Sequence, residues 1–406
     1  MTFPDPRAPV IAVFGATGVV GRRVCEALVE RGAAVRVVGR RPDAIAALAR
    51  ALPVGTERAV AAAGDPAALA RAFAGARVVV NAAGPLRDTA EPVLVAALAA
   101  GAHYVDVGGE QAVLREVYER HESAVRRAGL VALPGAGLDA AIGDLAAAWA
   151  AAQLDAAPDG GDRPGTSGAS GASGASERGD PVRSAPAPRL AEAHPLDDVA
   201  VSYAFDDLAL SAGSQRALFS AIGDRALIWQ RDRWEAGRAG DHRRINAGPA
   251  LGGERDALGY AGGAVITIPR HVAAHRVAAY VSTTRRPAAA SALRMLSRAL
   301  PLLPRAARDV LSPYAPPDAD YAATRLAVVA QVRRGVRTVQ IVVHGHDLYR
   351  TTAAITAWSA QRLAERGAGP TGMRAPGELF RAEPALREIA SAAGLTIEPS
   401  FEPRLG

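Results

Sequence analysis

Three glycines, at positions 15, 18 and 21, have the types and spacing in this chain that most directly imply a ligand. In Gly15-Ala16-Thr17-Gly18-Val19-Val20-Gly21 the first glycine permits a tight turn and the second lets backbone amides approach a pyrophosphate. The third lets the following helix pack closely on a sheet, and the free N–H groups of that helix face the phosphate charge. Thr17, Val19 and Val20 complete the loop. The chemistry is that of a dinucleotide site. Where a second strand should end, the chain reads Gly39-Arg40-Arg41, with no acid before Asp43. A carboxylate there would suit the ribose 2′-hydroxyl of NAD(H), whereas the two guanidiniums of Arg40 and Arg41 suit a 2′-phosphate, so NADP(H) is expected ahead of NAD(H). Asp65 stands where it would accept from the adenine amine or cap its own helix. Asn81-Ala82-Ala83-Gly84-Pro85 ends another strand, and Ala82, Gly84 and Pro85 would let backbone pass beside the nicotinamide ribose.

Hydride transfer also needs a group that gives or takes a proton. Tyr104, Asp106 and Asp139 follow or end predicted strands, and His346, Asp347 and Tyr349 follow another farther on. Tyr104 or Tyr349 would donate the proton, and Asp106 or Asp139 would orient substrate. The competing reading is structural, with Asp139 and Asp144 capping a helix that starts near Ala140. His271 and His275 stand four apart, but no third ligand accompanies them at a recognisable spacing, so they read as packed or surface histidines and no metal site is expected. His344 and His346, flanking a glycine, read the same way. No Gly-x-Ser-x-Gly elbow or Cys-His pairing points to a hydrolase. The 47 basic residues are all arginine. With no lysine in the chain, Schiff-base chemistry and the Tyr-x-x-x-Lys pair of short-chain dehydrogenases are excluded.

The elements that must hold these residues alternate regularly. Strands are predicted at 10–14, 34–38, 60–63, 77–80, 103–107 and 130–133, with helices between them that end at glycines such as Gly32 and Gly101. Asp65-Pro66 opens one of these helices in the favoured order. Such a series gives an α/β doubly wound parallel sheet covered on both faces. The second half differs. Val199, Val201, Tyr203 and Phe205 alternate with other residues as in a half-buried strand, and 226–234, 263–268, 276–282, 325–333 and 338–344 read as further strands of a largely antiparallel sheet. Helices are expected at 214–221 and 289–300 beside it, and at 351–365 and 378–393 in the tail. The predicted divisions are a Rossmann domain (1–153), a Gly/Ser/Ala/Pro-rich linker (154–192), an α+β substrate domain (193–350) and C-terminal helices packing back on the first domain (351–406).

Composition sets the remaining bounds. Of 406 residues, 49% are hydrophobic and 22% charged, which fits a globular protein with two cores. The formal charge of +6 arises from scattered arginines, without the aromatic-interleaved basic blocks of a nucleic-acid binder. A single cysteine, Cys25, rules out an intrachain disulfide, and neither a secretory signal nor a membrane-spanning run is visible, so a cytoplasmic protein is expected. A small-molecule or acyl-type substrate is expected; a homodimer stays open.

The glycine motif, Gly39-Arg40, Asn81 to Pro85, and His103-Tyr104-Val105-Asp106-Val107-Gly108-Gly109-Glu110 together resemble the saccharopine dehydrogenase-like family. Gly137-Leu138-Asp139 with Asp144-Leu145 is similar to its glycine-aspartate segment, and weaker likeness runs through Ile268-Pro269 and Gly345 to Tyr349. The resemblance implies a Rossmann domain, an inserted α+β substrate domain and returning C-terminal helices. It also implies an NADP(H)-dependent oxidoreductase acting in an inter-domain cleft. Trans-acting enoyl reductases of lipid and polyketide pathways are the first alternative within that family. A non-catalytic NADPH-binding partner or regulator is the alternative outside enzymes. The lysine-forming saccharopine enzymes are the members least like this chain, because their chemistry uses a lysine.

Overall fold

Alternation along the first strand explains the first layer of the molecule. In β1 (Val10–Phe14) Ile11 and Val13 point into one hydrophobic cluster, while Ala12 and Phe14 point into another on the opposite face. A strand buried on both faces reads as a continuous apolar run, as this one does. In this computed structural model residues 8–156, 194–283 and 320–403 are described, except 54, 212–213, 216–225, 239 and 368. Residues 295 and 299 are described as well, and only the backbone of 401–403. The predicted 154–192 linker and the helices expected at 214–221 and 289–300 lie almost wholly outside the described residues.

β1 pairs in parallel with β2 (Ala34–Gly39) on one side and with β4 (Val78–Asn81) on the other. From one edge the order runs β3 (Glu57–Val60), β2, β1, β4, β5 (His103–Asp106) and β6 (Val131–Leu133), with a seventh strand from the tail beyond β6, so the order reverses between β1 and β4. The helices between these strands are α1 (Val19–Glu30), α2 (Pro42–Ala51), α3 (Pro66–Phe73), α4 (Leu86–Ala99) and α5 (Gln111–Arg127). Val24, Cys25 and Leu28 of α1 join Ile11 and Val13, whereas Leu69 and Phe73 of α3 and Leu94 of α4 join Phe14. The third strand lies three residues before its predicted place. As an edge strand with mostly exposed residues it needs no apolar run, and its position follows from its pairing with Arg36–Gly39.

After β6 a π-helical turn (Leu138–Ile142) leads into α6 (Gly143–Ala156), whose buried residues lie all round the helix. A helix apolar on every side must be covered on every side. The second sheet, through β13 (Arg325–Arg334) and β14 (Arg337–His346), packs against α6, as does the C-terminal helix α10 (Ala382–Ala393).

The second sheet has nine strands, all antiparallel to their neighbours except one pair. Its spine is β10 (His242–Asn246), β11 (Glu254–Gly259), β12 (Arg276–Ser282), β7 (Asp198–Asp206), β13, β14 and β16 (Thr396–Pro403), with β12 and β7 parallel. β7 is buried on both faces through residue 204 rather than on one. Val199, Val201 and Tyr203 join the large cluster, and Ala200 and Ala204 join a third. The single strand expected at 226–234 is a hairpin, β8 (Leu227–Gln230) and β9 (Arg233–Ala236). Arg231 and Asp232 both take positive φ, 51° and 61°, which is the two-residue turn that matches strand twist. The strand expected at 263–268 is instead a short helix, α7 (Ala264–Thr267), followed by a 3-10 turn. An apolar run this short carries no period of its own. Here its burial between α5, α6 and the second sheet sets the conformation.

The tail returns to both sheets. α8 (Leu348–Ala364) packs along α1, β4 and β5. β15 (Gly372–Met373) extends the first sheet beside β6, α9 (Pro376–Leu379) and α10 follow, and β16 closes the second sheet on β14. Nothing in the sequence reading placed strands at β10, β11, β15 or β16.

Candidate dinucleotide and inter-sheet site

The glycine loop leaves no room for side chains. A Cβ on Gly15, whose φ is 80°, would lie 2.7 Å from the Ala83 nitrogen, and one on Gly21 would lie 2.2 Å from the Gly15 carbonyl oxygen. Only glycine allows that left-handed backbone without strain. The loop is tied to β2 by Gly15 N–H donating to Val38 O at 2.9 Å, and it closes on itself through Gly18 N–H to Gly15 O. Gly18 is the N-cap of α1 and supplies no side-chain acceptor, and Gly18 and Val19 are exposed. The first turn of α1 thus offers N–H groups at the surface, at the strand-order reversal where open α/β sheets bind ligands.

Around this loop the structure gathers several predicted residues. Ala83 lies against Gly15 and Ala82 N–H donates to Phe14 O at 2.9 Å, with Gly84 and Pro85 exposed beyond them. Arg40 and Arg41 are exposed at the end of β2, and the Arg41 guanidinium reaches the Thr17 hydroxyl at 3.4 Å. Asp65 caps α3, accepting from Ala68 N–H at 2.9 Å.

Tyr104 and Asp106 are buried and bonded to one another. The Tyr104 hydroxyl donates to Asp106 Oδ2 at 2.9 Å, while Asp106 Oδ1 accepts from Gly108 N–H at 2.9 Å and Gly135 N–H at 2.8 Å. Asn81 bonds Tyr104 and Thr89 and accepts from Ala83 N–H at 3.1 Å, so one polar network fixes the turns after β4, β5 and β6. Burial pushes the Asp106 carboxyl above its usual range, against the lowering effect of those donors.

Asp139 faces the other way, towards the second sheet. Its Oδ2 lies 3.5 Å from Gly263 N–H, and it accepts a hydrogen bond from the Tyr260 hydroxyl. The Tyr203 hydroxyl donates to the Asp139 carbonyl oxygen, and the Tyr203 and Tyr260 rings meet edge to face at 6.0 Å. A Cβ on Gly109 would fall 1.9 Å from Asp139 Oδ2, so that glycine makes space for the carboxylate. Burial pushes Asp139 up to about 7, only partly offset by its two donors. Neither Asp139 nor Asp144 caps the helix near Ala140. Asp144 is buried, pairs with His271 at 2.9 Å and accepts from Gly377 N–H. Burial alone would lower the His271 pKa; Asp144 outweighs it and holds the imidazole above its ordinary value.

Tyr349 belongs to a third cluster. Its hydroxyl accepts from Ser211 N–H at 2.7 Å and its ring meets Tyr321 at 4.8 Å. Asp347 caps α8, accepting from Tyr349 and Arg350 N–H, and pairs with Arg23 at 2.5 Å. His346 and His275 are exposed. Among the described residues no group of three or more candidate metal ligands occurs, and no helix is long and apolar enough to cross a membrane. Tyr203 and Gly263 were expected only as strand residues, and nothing in the sequence marked them or Tyr260 as neighbours of Asp139. The one available signal was Gly259-Tyr260-Ala261-Gly262-Gly263, a tyrosine set among glycines where chain direction must change.

A parallel sheet with this strand order and a glycine loop at its reversal is the arrangement in which open α/β sheets bind dinucleotides. Residues 11–133 match the model of the saccharopine dehydrogenase NADP binding domain. The apo, histidine-tagged saccharopine dehydrogenase (L-Glu forming) of Saccharomyces cerevisiae covers 97% of this chain and 100% of its own, with a TM-score of 0.60 at 14% identity, and so shares the fold. The resemblance read from the sequence therefore holds in the first domain by sequence and across the chain by fold. A lipid droplet localized protein of Caenorhabditis elegans is 30% identical over 146 residues, 33% of this chain and 34% of that protein. A provisionally named trans-acting enoyl reductase of Mycobacterium tuberculosis is 31% identical over 159 residues, 37% of this chain and 38% of that protein. These matches span little more than a third of each curated relative's length.

Proposed function

We propose that this chain is an NADP(H)-dependent oxidoreductase of the saccharopine dehydrogenase-like type, working in the cleft between its two sheets. The observation that carries the reading is the close packing of the glycine loop, where Cβ atoms at Gly15 and Gly21 would strike Ala83 and Gly15 itself. That loop brings backbone N–H groups to a surface where a pyrophosphate fits. Arg40 and Arg41 take the 2′-phosphate, and Ala82 to Pro85 line the path towards the nicotinamide. Bound NADPH supplies a hydride from its nicotinamide ring. Asp139, held near neutrality and bonded to Tyr260, holds the proton that the reduced substrate takes up. Tyr104 and Asp106 shape the turns beneath and do not exchange protons with substrate. Tyr349 holds the start of α8.

Fluorescence titration with NADPH and NADH tests the cofactor. NADPH binds more tightly than NADH, Gly18→Asp abolishes binding of both, and Arg40→Asp with Arg41→Asp removes the preference for NADPH. Absence of saturable binding of either nucleotide sinks the proposal.

Reduction of an enoyl group on an acyl chain is the second reading, favoured by the M. tuberculosis relative's name. Loss of NADPH absorbance with an enoyl thioester, and none with imine or ketone acceptors, would select it. Tight NADPH binding with no turnover of any acceptor would instead support a regulator. The polar pair Asp139–Tyr260 argues against that outcome.

A further inference from the structure

Two arginines beside the glycine loop have no acid to pair with among the described residues. Arg22, in the second turn of α1, and Arg350, in the first turn of α8, are exposed, and neither is in an ion pair or a side-chain hydrogen bond with any described residue. Glu26 stands four residues after Arg22, the spacing at which helix ion pairs form, yet the two do not pair. Both arginines line a cavity of about 570 Å³ with Thr17, Gly18 and Val19 of the glycine loop. Glu26 and Glu30 line it farther along α1, which leaves the positive charge at the loop end.

The position of Arg350 is set by Asp347. One carboxylate oxygen of Asp347 caps α8, and the other holds Arg23 of α1 at 2.5 Å. The first turn of α8 is thereby fastened beside the second turn of α1, with Arg350 presented to the same cavity as the loop. We propose that Arg350, supplied by a helix that follows the second sheet, and Arg22 complete the pyrophosphate site of the dinucleotide. This rests on the dinucleotide reading above. Guanidinium forks pair with phosphate oxygens through two parallel hydrogen bonds, and the phosphates are common to NADPH and NADH. The bound dinucleotide then bridges the first domain and α8, and cofactor binding stiffens the contact between them.

The test measures Kd for NADPH and for NADH on the full chain and on Arg22→Gln and Arg350→Gln. Thermal unfolding of each apo variant should match the parent, because neither side chain has a partner among the described residues to lose. Each variant should weaken both nucleotides together by about tenfold, the order expected for one lost charged hydrogen bond, with the NADPH-to-NADH ratio unchanged. Inorganic pyrophosphate should compete with NADPH on the parent and lose that competition in Arg350→Gln. Affinities within twofold of the parent overturn the proposal, and so does a changed ratio, which would move the arginine to the 2′-phosphate. Pyrophosphate binding to NADPH-saturated protein also overturns it, since it would reveal a separate anion site. If the parent binds neither dinucleotide, the dinucleotide reading falls as well; if the parent binds both and Arg350→Gln is unaffected, only this inference falls.

Discussion

Asp106, at the end of β5, and Asp139, in the π-helical turn after the neighbouring β6, are both carboxylates withdrawn from water, but they are partnered very differently. Asp106 accepts from two backbone N–H groups and a tyrosine hydroxyl, all within 2.9 Å. Asp139 has a tyrosine hydroxyl and one amide at 3.5 Å. Burial raises the pKa of both, and burial is the larger influence in each. The difference lies in what a substitution would strand. Asp106 is a strut that satisfies three donors and ties two turns, whereas Asp139 is a sparsely bonded group able to change protonation near neutrality.

Removing the strut should have the largest effect. Asp106→Ala leaves the amides of Gly108 and Gly135 buried without an acceptor, at about 1–3 kcal/mol each, so a loss of roughly 3 kcal/mol or more is expected in urea unfolding. Asp139→Ala strands the Tyr260 hydroxyl and one weakly bonded amide, and should cost less. Equal losses at the two positions would break the comparison.

Gly109→Ala comes next. The added methyl would meet Asp139 Oδ2 at 1.9 Å, so the carboxylate must turn away or the loop must shift. A cost of about 1–2 kcal/mol follows from overpacking of this kind. The displaced carboxylate should gain water and titrate lower than in the parent. A variant as stable as the parent, with an unchanged titration, would show that the space left by Gly109 is unimportant.

The contrast between these two aspartates was only half legible in the sequence. Both were singled out from their places at strand ends, and nothing in the residue order distinguishes three donors from two. The first sheet was readable because each strand and helix is local and punctuated, as at Gly32, Asp65-Pro66 and Gly101. The glycine loop was readable because its constraint is a backbone one that only glycine meets. The second sheet was harder. Gln230-Arg231-Asp232-Arg233 turns a hairpin without the glycine or asparagine that usually marks one, and Ala264 to Ile268 is too short to show a period. Tyr260 reaches Asp139 only because the second sheet folds onto the carboxyl edge of the first, and such long-range contact leaves no local pattern. Arg350 escaped notice for the same reason.

A smaller effect separates the aspartates by pH. The folded pKa of Asp139, about 7, lies above the ordinary 3.8, so between those values the unfolded chain loses a proton that the folded chain keeps. The unfolded state then binds fewer protons, and the Asp139 contribution to stability falls as pH rises from about 4 to about 7. Below that window the contribution is level and above it the penalty is complete. Asp139→Asn should remove this slope and be more stable than the parent at pH 8 by roughly 1–2 kcal/mol, after allowance for partial exposure. Urea midpoints at pH 5 and pH 8 measure it. A parent-like slope in Asp139→Asn would assign the titration to another group.

Tyr260→Phe is the smallest and sharpest change. The Tyr260 hydroxyl donates to the Asp139 carboxylate and so favours its charged form, opposing the effect of burial. Losing that donor should raise the Asp139 pKa further and move the upper end of the pH window above 7, at a stability cost of about 1 kcal/mol at pH 8. In an Asp139→Asn background the same substitution should leave the pH dependence unchanged, because the group it acts on is gone. A window that moves down in Tyr260→Phe, or one that moves equally in both backgrounds, would separate the two residues. Asp139 would then be, like Asp106, a carboxylate whose protonation its own domain decides.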